Sequence, residues 1–253
     1  MQEMVQSVDR SLSILEVLSD YEEGLGITEI SEKVNLHKST VHRLLSTLIQ
    51  KGYVKQDEDT NKYRLTLKLF ELGSKNIGKM DIVNVVKPYL KELMKITNET
   101  VHLVVRDGNE IVYVDKVESE NTIRMYSRIG KRNPLYCTAV GKAMLSYMED
   151  EKVEQIWNQS KIERLTENTI TDMEQFKEHL RLVRENRYAV DEQENEIGIR
   201  CLGAAVLNYR GEVSGAISIS GSILSFTEDK IEKFSNILIE YTDKISKELG
   251  YKK

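Results

Sequence analysis

An α+β protein of two domains is the fold class this sequence predicts, on three observations. The first third strings together short amphipathic helices and ends in one β-like hairpin. A long helical stretch, roughly Asn76 to Ile96, follows. Beyond it, β-rich runs punctuated by turn signals share the chain with helical blocks, as in an antiparallel sheet packed by helices. The divisions expected are a first domain over 1–75, a linker helix over 76–97 and a second domain over 98–253.

In the first domain, Val8, Leu12 and Leu15 mark the apolar stripe of a helix, widened by Ile14, Val17 and Leu18, with Ser7 as its N-cap. Gly24 and Gly26 break the chain. A short helix with Ile30 and Val34 starts near Thr28, and the tight segment Asn35-Leu36-His37 ends it. The third helix has the strongest pattern: Val41, Leu44, Leu45, Leu48 and Ile49 share one stripe, and Gly52 sits where a left-handed cap belongs. Strand-like runs over 53–56 and 62–65 flank the polar loop Asp57–Asn61. Helix, short helix, turn, helix and hairpin together make a winged helix-turn-helix.

In the second domain, strands are expected over 101–105, 111–117 and 122–129, with Gly108-Asn109 as a turn. Further strands are expected over 187–191, 201–209 and 213–220, the last two joined by Arg210-Gly211-Glu212. Helices are expected over 138–148, from Thr171 with Glu174 completing a capping box, and over 228–249.

The formal net charge of −5 means that nucleic-acid binding cannot rest on global charge, so any such face is local. The opening residues lack a signal-peptide core and no stretch has the length to span a bilayer, so a cytoplasmic protein is expected. Cys137 and Cys201 form no CxxC pair, which argues against a disulfide framework or zinc ribbon.

The local charge lies on the third helix and hairpin. From His37 to Lys68 there are seven lysines and arginines against three carboxylates, all three at 57–59. The helix's polar face offers Lys38, Ser39, Thr40, His42, Arg43, Ser46 and Thr47 and no acid, so it can enter a major groove without repelling phosphates. Lys55, Lys62 and Arg64 suit the hairpin to phosphate contacts. The plainer alternative is a helical domain with a solvated polar face.

The second domain carries no catalytic signature. Gly141-Lys142-Ala143 lacks the rest of a P-loop, no GxSxG elbow occurs, and His37, His42, His102 and His179 are not spaced as metal ligands. His102 and His179 read as surface or half-buried residues. Two segments stand out: 130–143, a loop feeding a helix rich in small residues, and 191–219. Ser218 and Ser220, two apart, share one sheet face and suit a small polar ligand.

These residues resemble the isocitrate lyase regulator (IclR) type of transcription factor along nearly the whole chain. Ser7–Leu15 is similar to that family's first helix and Lys38–Leu45 to its recognition helix. Pro134–Ala143, Asn195–Ala204 and Ala216–Gly221 resemble segments of its effector domain. The resemblance implies a GAF-like effector domain, a DNA-binding regulator more often a repressor than an activator, homodimers and in some cases homotetramers, and an organic-acid or sugar-acid effector. It implies no catalytic residues, metal or cofactor. It places effector contacts at Ala139, Val140, Asp191, Cys201, Ser218 and Ser220. An ionised Asp191 cannot donate, so it would accept from a ligand hydroxyl or orient a donor. Ala139 and Val140 are larger than the residues of some relatives, and Ser222 replaces a frequent proline. An enzyme built on the second domain and an interaction module with a degenerate helix-turn-helix are the rival readings.

Overall fold

The computed structural model describes residues 5–77, 81–119 and 127–252, which fall into two compact units, residues 1–79 and 80–253. In the first unit, helices α1 (Gln6–Ser19), α2 (Ile27–Lys33) and α3 (Lys38–Gln50) precede an antiparallel hairpin of β1 (Val54–Gln56) and β2 (Tyr63–Leu65), and α4 (Lys68–Ile77) follows. Ile14, Leu18, Ile30, Val41, Leu45 and Tyr63 centre its core. Each aliphatic side chain buried there contributes roughly 1.5–3 kcal/mol of transfer free energy. The wing is tied back to the helices: Leu25 and Tyr63 exchange backbone hydrogen bonds of 3.0 and 2.8 Å.

Several expectations here need correction. The buried face of α1 runs through Ile14 and Leu18, while Val8 and Leu12 are 55% and 53% exposed. Val5, not Ser7, occupies the N-cap. Thr28 lies inside α2, whose cap is Gly26; the Glu29 carboxylate accepts from the Gly26 N–H at 2.7 Å. Ile49 is exposed, because at 3.6 residues per turn it sits about 80° around the helix from Val41. Gly52 does end the turn after α3: its φ is +77°, and the Tyr53 N–H reaches back to the Leu48 carbonyl at 2.9 Å.

The second unit opens with α5 (Asp81–Thr97) and is built on six antiparallel strands: β3 (Thr100–Asp107), β4 (Glu110–Val117), β5 (Arg132–Pro134), β6 (Ala189–Glu192), β7 (Ile199–Leu207) and β8 (Val213–Ser222). Their spatial order is β5-β4-β3-β8-β7-β6. One sheet face packs Leu103, Leu202, Ala204, Ile217 and Ile219 against α5 and α9 (Asp229–Glu248). The other packs against α6 (Ala139–Leu145), α7 (Asp150–Gln159) and α8 (Met173–Asn186), with Met144, Ile156 and Phe176 in a second core. Burial on both faces makes β7 and β8 nearly continuous in apolar and small residues instead of alternating with polar ones.

In place of one linker helix over 76–97 the structure has α4 and α5, and residues 78–80 between them lie outside the described residues. Residues Val86, Leu90 and Leu93 of α5 belong to the core of the second unit. Of the strand expected over 122–129, residues 122–126 lie outside the described residues and 127–129 carry no strand. The cap of α8 is Asp172, which accepts from the Gln175 N–H at 2.9 Å; Thr171 instead accepts from Arg164. The helix α7 was not expected, and β5 forms where a loop was.

Candidate functional site

The first candidate surface is the outer side of α3. Lys38, Ser39, His42, Arg43 and Thr47 are exposed and Thr40 is half-buried, while Val41, Leu44, Leu45 and Leu48 hold the helix down. The hydroxyls of Ser46 and Thr47 donate to the carbonyls of His42 and Arg43, at 2.9 and 3.3 Å. Lys38, Ser39, His42 and Arg43 therefore carry most of what this face can offer outward. On the wing, Lys62 is half-buried and Lys55 is exposed opposite Arg64. The Arg64 guanidinium is paired with Asp57, whose other oxygen accepts from the Thr60 N–H and hydroxyl. Those Thr60 bonds, before Arg64, hold the Asp57 carboxyl below its usual range.

The second candidate is a partly open cavity between the sheet and the start of α6. All six residues expected at the ligand site line it: Ala139, Val140, Asp191, Cys201, Ser218 and Ser220. Strand register explains the convergence. Asp191 pairs with Cys201 and Cys201 with Ser220, so β6, β7 and β8 present one row of side chains. Ser218 pairs with His102 on β3 and extends the polar floor. Ala139 and Val140 come from α6, which approaches β7 at Gly203. A Cβ there would lie 2.5 Å from the Ala139 carbonyl carbon and the Val140 nitrogen, so only glycine allows the approach.

The floor is a hydrogen-bonded network. His102 Nδ1 lies 3.1 Å from Ser218 Oγ and Nε2 lies 2.9 Å from Ser127 Oγ, while Ser220 Oγ donates to Ser218 Oγ at 3.2 Å. Burial, helped by Lys116, pushes the His102 imidazole down to about 3, so the ring is neutral and bonds as one donor and one acceptor. The ring of Tyr113 meets it edge-on at 5.1 Å. Asp191 Oδ1 accepts from the N–H groups of Glu194 and Asn195, at 2.7 and 3.4 Å. Burial also pushes up the Cys201 thiol, and that of Cys137 to about 12, so both are poor nucleophiles.

His102 was expected at or near the surface and is instead 2% exposed, in the middle of the network. Tyr113 and Ser127 also line the cavity and were not singled out, while Asn133, Thr138, Asn195 and Ile199 line it from within the two segments that stood out. Their signal is weak in the sequence, because each lies on a different strand or loop. His179 is half-buried as expected. Among the described residues no three histidines, cysteines or carboxylates are placed to hold a metal ion, and no helix is long and apolar enough to cross a membrane.

Known proteins match both units. Residues 7–58 match the IclR helix-turn-helix domain, and residues 74–247 match the bacterial transcriptional regulator IclR C-terminal domain. The HTH-type transcriptional regulator KdgR of Escherichia coli is 41% identical over 98% of this chain and 94% of its own length. The DNA-binding transcriptional repressor YiaJ of the same organism is 34% identical over 97% and 88%. The crystal structure of Thermotoga maritima IclR superimposes with a TM-score of 0.86 at 36% identity, covering 98% of this chain and all of that one. A helix-turn-helix with an acid-free outer face, followed by a helix-flanked antiparallel sheet and matched end to end by these regulators, places this chain in the IclR family of bacterial DNA-binding transcriptional regulators.

Proposed function

We propose that this regulator is a repressor whose hold on a two-fold-symmetric operator is set by a small organic or sugar acid in the cavity of the second unit. One observation carries the ligand side: the six residues expected to touch a ligand line one buried cavity whose floor is hydroxyls, a neutral imidazole and a carboxyl. Such a floor suits a ligand rich in oxygen. The name of YiaJ, a repressor, supports the sign of regulation.

On the DNA side, Lys38, Ser39, Thr40, His42, Arg43 and Thr47 face the major groove, and Lys62 and Arg64 reach phosphates. Two copies act together, since one recognition helix covers half a site. The exposed apolar residues Val5, at the N-cap of α1, and Val8 and Leu12 on it suit an interface between copies. Arg43→Ala tests the reading: operator affinity falls by about 1–3 kcal/mol if Arg43 reads a base edge. Fluorescence anisotropy with labelled operator measures it. An unchanged affinity in a folded variant removes Arg43 from the interface.

A further inference from the structure

We propose that the cavity takes its ligand as an oxyacid anion together with one proton, which resides on Asp191 and turns that carboxyl into a hydrogen-bond donor to the ligand. The proposal rests on the reading of the cavity as an acid-binding site and names the chemistry of that site. Asp191 is 3% exposed, and its Oδ1 already accepts from two backbone N–H groups. Its Oδ2 takes no hydrogen bond among the described residues, which leaves that oxygen for the cavity.

The surrounding charges leave an ionised Asp191 without a counter-ion of its own. Lys142 of α6 is fully buried, and its ammonium donates to the Val190 carbonyl at 2.6 Å and to Glu194 Oε1. That buried ammonium is thus in bond contact with Glu194, whose Oε2 is itself buried without a partner. The cysteines facing Asp191, Cys201 on β7 and Cys137 ahead of α6, are held protonated by burial. His102 on β3 is neutral, Tyr113 on β4 is pushed up by burial, and His179 on α8, behind Lys142, is pushed down to about 4 by burial and by that lysine. Glu196 and Lys131 stand among the lining residues, one of each sign, and Lys131 already has a partner.

An anion entering beside ionised Asp191 would bring two like charges together in a buried space, and the cheapest relief is a proton. Burial already pushes Asp191 up to about 7, against the pull of Lys142 and with the push of Glu194. A bound anion raises it further. The sign follows from linkage. Below about pH 6 the free protein already holds the proton and none is taken up. Above about pH 8 each binding event takes up close to one, and affinity falls roughly tenfold per pH unit.

Calorimetry on the full-length protein with D-gluconate and with pyruvate, in two buffers of different ionisation heat, counts the protons. The expected count is near zero at about pH 6 and near one at about pH 8.5. Asp191→Asn keeps the acceptor for both N–H groups and supplies a permanent donor. It should bind the same anion with pH-independent affinity, no proton uptake, and more tightly than wild type at the higher pH. Anion binding without proton uptake at about pH 8.5, or a folded Asp191→Asn that binds weakly at both pH values, overturns the proposal and leaves the acid-binding reading intact. If the variant does not fold, the wild-type proton count decides alone. If neither anion binds wild type or variant at either pH, the acid-binding reading falls and the proposal with it.

Discussion

The two candidate surfaces are made in opposite ways. The face of α3 belongs to one helix, points to solvent and depends on the core only through the residues behind it. The cavity floor is assembled from β3, β6, β7 and β8 and is part of a core that packs on both sides of a sheet. Residues on the first surface can change with little effect on folding. Those on the second carry stability and chemistry at once, so their substitutions need a folding control.

The largest expected effect breaks the cavity side. Lys142→Met removes one partner of a fully buried ion pair and strands Glu194, which should cost this unit about 3–5 kcal/mol. Trp157 is the single tryptophan and packs between Tyr136 and Phe176, so its fluorescence during urea unfolding reports on this unit. A loss below about 1 kcal/mol would mean the pair is relieved by water. Ser220→Ala is milder, since it removes one hydroxyl from a network that keeps the His102–Ser218 bond. Affinity for a bound acid should fall by about 0.5–1.5 kcal/mol by calorimetry, with operator affinity unchanged in the absence of ligand. The smallest effect sharpens the exposed side. Asp57→Asn keeps the acceptor for Thr60 and releases the Arg64 guanidinium. Operator binding should tighten, and the plot of log affinity against log salt should steepen by up to about 0.9, the share of one phosphate contact. An unchanged slope in anisotropy titrations would take Arg64 off the DNA.

The same contrast decides what the sequence reveals. The pattern on α3 lies within thirteen residues, so period 3.6 alone separates its buried from its exposed face; only Ile49, at the stripe's edge, is misplaced. Ser218 and Ser220 were legible from the two-residue period of a strand. Asp191, Cys201, Ala139 and Val140 were not, and they came from the family resemblance. His102 shows why: its partner Ser218 is 116 residues away, and strand pattern gives a face but not a neighbour. The helix α7 escaped because only Val153 and Ile156 are buried along its ten residues. Capping positions slipped by one or two residues: the caps of α1 and α2 are Val5 and Gly26, which offer no side-chain acceptor to recognise, and at α8 the adjacent Thr171 and Asp172 both could cap.

The close approach at Gly203 divides the cavity into parts that can evolve separately. The floor's polarity is written on strands locked by register, whereas the roof is written on α6, whose distance from the sheet is set by the missing side chain at 203. Substitution at Val140 would then alter the room available without rearranging the hydrogen-bonding row beneath it, and substitution in the row would alter polarity without moving the roof. A lineage, or an engineer, can retune size and chemical preference in independent steps as long as position 203 stays glycine.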